Sequence, residues 1–229
     1  MSMKTKVLSI CLIVTGVALF SSVAFAASDS DFSQEINIGT LDADIKDDSR
    51  VTVASPSVDM TTAGFSFDCQ SVGTASTGIF GTDTERIYVS NGDAADGGWN
   101  LTIAATGGDT DSWDNGGATE SFDFNDAAGS GCTDDTDTDS LAGQMTLDPS
   151  VGTLATDCVS GCTTTGVTKG ASDAFDEGIT DDITILSAAA GSDDVWRGYI
   201  TGVDVEQTIP AEQPADTYTI DLTLTAAIL

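Results

Sequence analysis

No histidine occurs anywhere in the sequence. Its absence removes Ser-His-Asp and Cys-His mechanisms, and with them the commonest metal ligand. Positive charge is nearly as scarce: seven Lys and Arg stand against 37 Asp and Glu. Nucleic-acid binding needs basic side chains to displace counterions, so that class is excluded. Anionic membrane surfaces are excluded by the same imbalance. Beyond the first residues no stretch carries a convincing helical stripe with caps; a short helix is expected only around 172–177. No linker splits the chain and no internal repeat is evident.

The N-terminus has the three parts of a secretory signal. Lys4 and Lys6 form a positive start, Val7 to Phe20 an uncharged apolar stretch, and Ala24-Phe25-Ala26 a small-residue cleavage site. The apolar run is short for a membrane span of about 20 residues. Residues 1–26 are therefore expected to be a signal peptide and 27–229 a single surface domain. All 37 acids lie after the cleavage site, but two of the seven bases precede it. The exported chain thus keeps five bases and a charge of −32. Such a surface repels itself, and salt relieves the repulsion.

Cys11 leaves with the signal. Cys69, Cys132, Cys158 and Cys162 remain, an even count that favours two disulfides in an exported chain. Three pairings are open: Cys158 and Cys162 closing a small loop, or either joined to Cys69 or Cys132. The spacing is irregular for zinc, and no histidine completes a zinc set. Asp134, Asp135, Asp137 and Asp139 share one loop and offer the oxygens a calcium ion prefers. The spacing opens like an EF-hand, but Ser140 replaces the required Gly and Thr146 the closing acid. An irregular calcium site is the expectation there. Asp109, Asp111 and Asp114 form a second acidic cluster. With so many acids, the proximity of two carboxylates does not indicate glycoside hydrolysis. No nucleophile and base can be paired, so a non-catalytic protein is expected.

Period-two alternation, the mark of half-buried strands, recurs along the chain. Phe65, Phe67 and Cys69 fall on one face. Trp99, Leu101 and Ile103 alternate with Asn100, Thr102 and Ala104. Phe122 and Phe124 flank Asp123. Tyr199, Thr201, Val203 and Val205 form one run. Tyr218, Ile220, Leu222 and Leu224 oppose Thr219, Asp221, Thr223 and Thr225. Turn clusters such as Asn91-Gly92-Asp93 and Asp114-Asn115-Gly116-Gly117 separate the runs. Pro210 and Pro214 form an elbow before the last strand, which is expected inside a sheet with both neighbours paired. Residues 127–143 read as a long loop. The expectation is an all-β, single antiparallel β-sandwich, Ig-like or a related Greek key, with long Asp/Gly-rich loops.

Gly98-Trp99-Asn100-Leu101-Thr102-Ile103 resembles the first motif of WxL-domain surface proteins. The proline elbow and the strand Tyr218-Thr219-Ile220-Asp221-Leu222-Thr223-Leu224-Thr225 resemble the family's C-terminal region. Leu224 stands where the family repeats its Trp. The resemblance implies an exported bacterial protein attached noncovalently to the wall through peptidoglycan. Trp99, Leu101, Tyr218 and Leu224 would be the motif positions. Alternation itself implies that the Trp99 ring is buried in the core. Phe32-Ser33, Ile36 and Gly39-Thr40-Leu41 look like the start of TasA and camelysin-type fibre proteins, which implies polymerisation by strand donation. The expected partners are a cell-wall polymer or other surface proteins, including copies of itself. No sorting motif is seen at Thr225-Ala226-Ala227-Ile228-Leu229, so retention is expected to be noncovalent. A calcium-dependent adhesin is a further alternative.

Overall fold

The computed structural model describes residues 33–93, 97–117, 120–135, 139–159, 161–192 and 195–229. The expected signal peptide and Asp137 lie outside these residues. The chain divides into two compact units, 1–37 and 38–229, and the fold described is that of the second.

The fold is all-β. Among the described residues fourteen strands occur in chain order: β1 (Leu41–Lys46), β2 (Ser76–Phe80), β3 (Arg86–Asn91), β4 (Trp99–Ala105), β5 (Trp113–Asp114), β6 (Ser121–Phe122), β7 (Gln144–Asp148), β8 (Thr153–Thr156), β9 (Val167–Lys169), β10 (Asp173–Ala174), β11 (Asp182–Ala188), β12 (Trp196–Thr201), β13 (Val203–Thr208) and β14 (Leu222–Ile228). They pair antiparallel into sheets of order β1-β3-β12-β8, β10-β7-β13-β2 and β14-β4-β11-β9, with β5-β6 as a small hairpin. The sheets pack together as a β-sandwich around one apolar core. No helix among the described residues is long and apolar enough to cross a membrane.

The alternation of β4 is realised in full. Trp99, Leu101 and Ile103 are buried, and Asn100, Thr102 and Ala104 are only partly covered. The Trp99 ring packs on Trp196 at 5.4 Å between centroids. Phe124 meets Phe175 edge-on at 5.1 Å. These aromatics sit among Leu101, Ile183, Ile185 and Leu186 in the same cluster.

Four expectations of the pattern are corrected. Phe65 and Phe67 do not lie in a strand, and they are 54% and 75% exposed. Their segment is anchored at its end by the Cys69–Cys132 disulfide and the Gln70–Ile209 bridge. Alternation therefore persists in extended chain without a sheet behind it. The run from Tyr199 to Val205 is two strands in two sheets. Gly202, at φ 75°, turns the corner between them and shifts the parity. Its N–H donates to the carbonyl of Gly81, which turns the matching corner from β2 to β3 at φ 81°. Residues 172–177 contain β10 and a turn instead of a helix, because Phe175 is drawn fully into the core beside Met145. Finally, β14 lies at a sheet edge, laddered only to β4. Its alternation survives, with Leu222, Leu224 and Ala226 half-buried and Thr223 and Thr225 exposed.

Candidate functional site

A short hairpin builds one side of a cleft among the described residues. Asp114 accepts from the Gly116 N–H, and Asn115 from the Gly117 N–H, so the Asx side chains shape the turn locally. Gly116 takes φ 71°, which a Cβ would disfavour. The turn brings β5 against β6, and the Trp113 ring stacks on Phe122 at 5.9 Å and 7°. Phe122 in turn meets Tyr218 edge-on at 5.1 Å. Tyr218 is delivered by the chain entering β14, where Thr219 and Asp114 exchange backbone hydrogen bonds.

The proline elbow closes one wall. Glu212 adopts φ 60°, and its N–H donates to the carbonyl of Ser66. The Tyr218 hydroxyl donates to the Pro214 carbonyl at 2.8 Å and accepts from Gln213 at 2.9 Å. On the floor, Gln207 accepts from Trp113 Nε1 at 2.8 Å. Its own amide donates to the carbonyls of Asp123 and Thr208. The opposite wall is the irregular segment from Met60 to Phe65, with the Gln70 amide on the Gly64 carbonyl. The result is a cleft of about 430 Å³. Cofactor- and ligand-binding sites commonly span about 300–1,000 Å³.

Charge in the cleft is sparse and of one sign. Asp216 is the one carboxylic acid among its lining residues, and no Lys or Arg among the described residues lines it. A hydrogen bond from Asn115 at 3.0 Å, then one from the Thr217 N–H, hold the Asp216 carboxyl below the usual range. The bases among the described residues are engaged elsewhere. Arg50 binds Asp157 through both oxygens and lowers that carboxyl to about 2. Burial, followed by the Asp157 hydrogen bond, raises the Tyr88 phenol to about 12. Arg86 lies over the Tyr199 ring at 4.4 Å and Lys46 over Tyr88 at 5.3 Å. Lys169 donates to the Gly152 carbonyl at 2.7 Å.

The motif residues fall in different places. Trp99 and Leu101 are core residues, 2% and 0% exposed. Leu224 faces Ile103 across the β4–β14 ladder, so the two motif regions are neighbours in one sheet. Tyr218 alone of the four lines the cleft. Cys69 is bonded to Cys132 and Cys158 to Cys162, which selects one of the three open pairings. Asp134, Asp135 and Asp139 are exposed, and no group of three potential metal ligands is assembled among the described residues. Asp109 lends its carbonyl to Asn125, while Asp111 and Asp114 shape their own loops. Asp123, expected on the polar face, is buried with both flanking phenylalanines. Sequence reasoning did not single out Gln207, Gln213 or Asp216 as site residues. The Asn115-Gly116 turn beside an aromatic was the one local signal that pointed there. Compared with known proteins, the chain matches no family model, no curated protein and no solved structure.

Proposed function

We propose that this is a non-catalytic, exported cell-surface protein, held noncovalently on a wall polymer through the cleft. The observation that carries the reading is the cleft itself. It presents aromatic surface from Phe65, Trp113 and Tyr218 beside amides and hydroxyls, the chemistry that packs on sugar rings. Nothing in it pairs a nucleophile with a base, and histidine is absent. Two disulfides suit an oxidising, extracellular setting. The resemblance to WxL-domain proteins supports the wall as the partner, with contact moved from the buried Trp99 to the cleft. Co-sedimentation with insoluble wall material is the test. The protein is expected in the pellet, and Phe65→Ala, at an exposed rim, is expected to weaken retention about tenfold. A folded parent protein left wholly in the supernatant would contradict the reading.

A second reading is a fibre subunit. Ile36 and Ile38 alternate in the N-terminal segment and are 87% and 71% exposed. Such a segment is suited to adding a strand to another copy's sheet edge. Filaments in electron micrographs of the purified protein would favour it.

A further inference from the structure

Several polar side chains of the cleft are already engaged inside the protein. Gln207 uses its oxygen on Trp113 and its amide on two carbonyls. The Gln213 amide serves Tyr218 and the Ser121 carbonyl. The Tyr218 hydroxyl both donates to Pro214 and accepts from Gln213. Asp216 differs, because an ionised carboxylate offers about four acceptor positions. Asn115 and the Thr217 N–H occupy two of them, on separate oxygens. The cleft therefore retains acceptors and negative charge for a ligand that brings donors.

Three further observations point to a positively charged donor. The lining holds Phe65, Trp113 and Tyr218, and aromatic rings attract cations through their faces. No Lys or Arg among the described residues lines the cleft to repel one. The whole chain carries a formal charge of −30, so its field draws cations in and holds polyanions off. An anionic wall polymer is thus a poor fit, and a fully acetylated sugar chain offers the Asp216 carboxylate only neutral O–H and N–H donors, where an ammonium adds the opposite charge. Hydroxyl-bearing rings remain suited to the aromatic surface.

We infer that the cleft selects an amino-sugar chain carrying free ammonium groups, with the ammonium on Asp216 and the rings on Phe65, Trp113 and Tyr218. This rests on the reading that the cleft is the polymer-binding site, and it adds the ligand's charge. The test is calorimetric titration of the protein with short glucosamine oligomers and N-acetylglucosamine oligomers of equal length. The pH is set so that the free amine is protonated. The amine form is expected to bind about tenfold tighter, with the preference eroded by salt, since exposed charges are screened. Asp216→Asn should bring the ratio of the two affinities close to one. Asp48→Asn, the same charge loss on the exposed turn after β1, should leave that ratio unchanged. Equal loss of preference in both variants would reduce the effect to net charge and overturn the assignment to Asp216. Equal or tighter binding of the acetylated oligomer overturns the inference while the cleft reading stands. Binding of neither oligomer overturns both. Oligolysine binding as tightly as the glucosamine oligomer overturns the sugar assignment.

Discussion

Asp123 is 1% exposed, between two buried phenylalanines. Burial raises its carboxyl from 3.8 to about 7; the Phe124 N–H opposes the rise, and Asp139 and Asp126 add to it. The folded state therefore holds this proton more tightly than the unfolded chain does. Stability from this group is greatest in acid and is lost as pH climbs between those two values, worth up to roughly 4 kcal/mol by pH 8. Asp123→Asn should raise the urea midpoint at pH 8 and leave it nearly unchanged near pH 4. Equal effects at both pH values would contradict the assignment. Trp99 makes the opposite kind of contribution. Its ring fills the core against Trp196, so Trp99→Ala should cost about 3–5 kcal/mol in the same assay. A Trp99→Ala protein that melts like the parent but loses wall retention would make the ring a ligand contact after all.

At the level of elements, the two disulfides should contribute unequally. Cys69–Cys132 spans 63 residues and Cys158–Cys162 only 4. In the chain-entropy account the longer loop is worth roughly 4 kcal/mol and the shorter roughly 2. Replacing both members of each pair by Ser and comparing urea midpoints checks this; a larger loss from the short loop would contradict it. Residues 54–69 form no strand, so the alternation of Phe65 and Phe67 pointed to one that is absent. β4 was legible because seven residues alternate without interruption and one face is fully buried. β5 and β6 were not, because two-residue strands carry no period. The corner at Gly202 was hidden for a related reason. A single positive φ reverses parity, and apolar residues on either side still read as one run. The edge position of β14 depends on which strands flank β4, which no local pattern encodes. Tyr218 was noted as the start of the last strand, yet its role in the cleft arises from residues more than 90 positions away, such as Ser121 through Gln213.

For the whole molecule, charge is the dominant physical fact. Seven bases stand against 37 acids, and four of them (Lys46, Arg50, Arg86 and Arg197) gather around the β1-β3-β12-β8 sheet. The remaining surface repels itself, so NaCl should raise Tm, by about 2–4 °C for each kcal/mol of repulsion relieved. A Tm independent of salt would show that the acids are already spaced beyond mutual reach. The sandwich positions the cleft between three segments, 60–65, the strands β5 and β6, and 213–218, over a floor at Gln207, while the β4–β14 ladder keeps the motif tryptophan inside. Hydrogen–deuterium exchange with and without solubilised wall fragments separates these two surfaces most directly. Slowed exchange at the cleft's three segments, with β4 and β14 unchanged, is the predicted result. Protection confined to β4 and β14, or no protection anywhere, would contradict it.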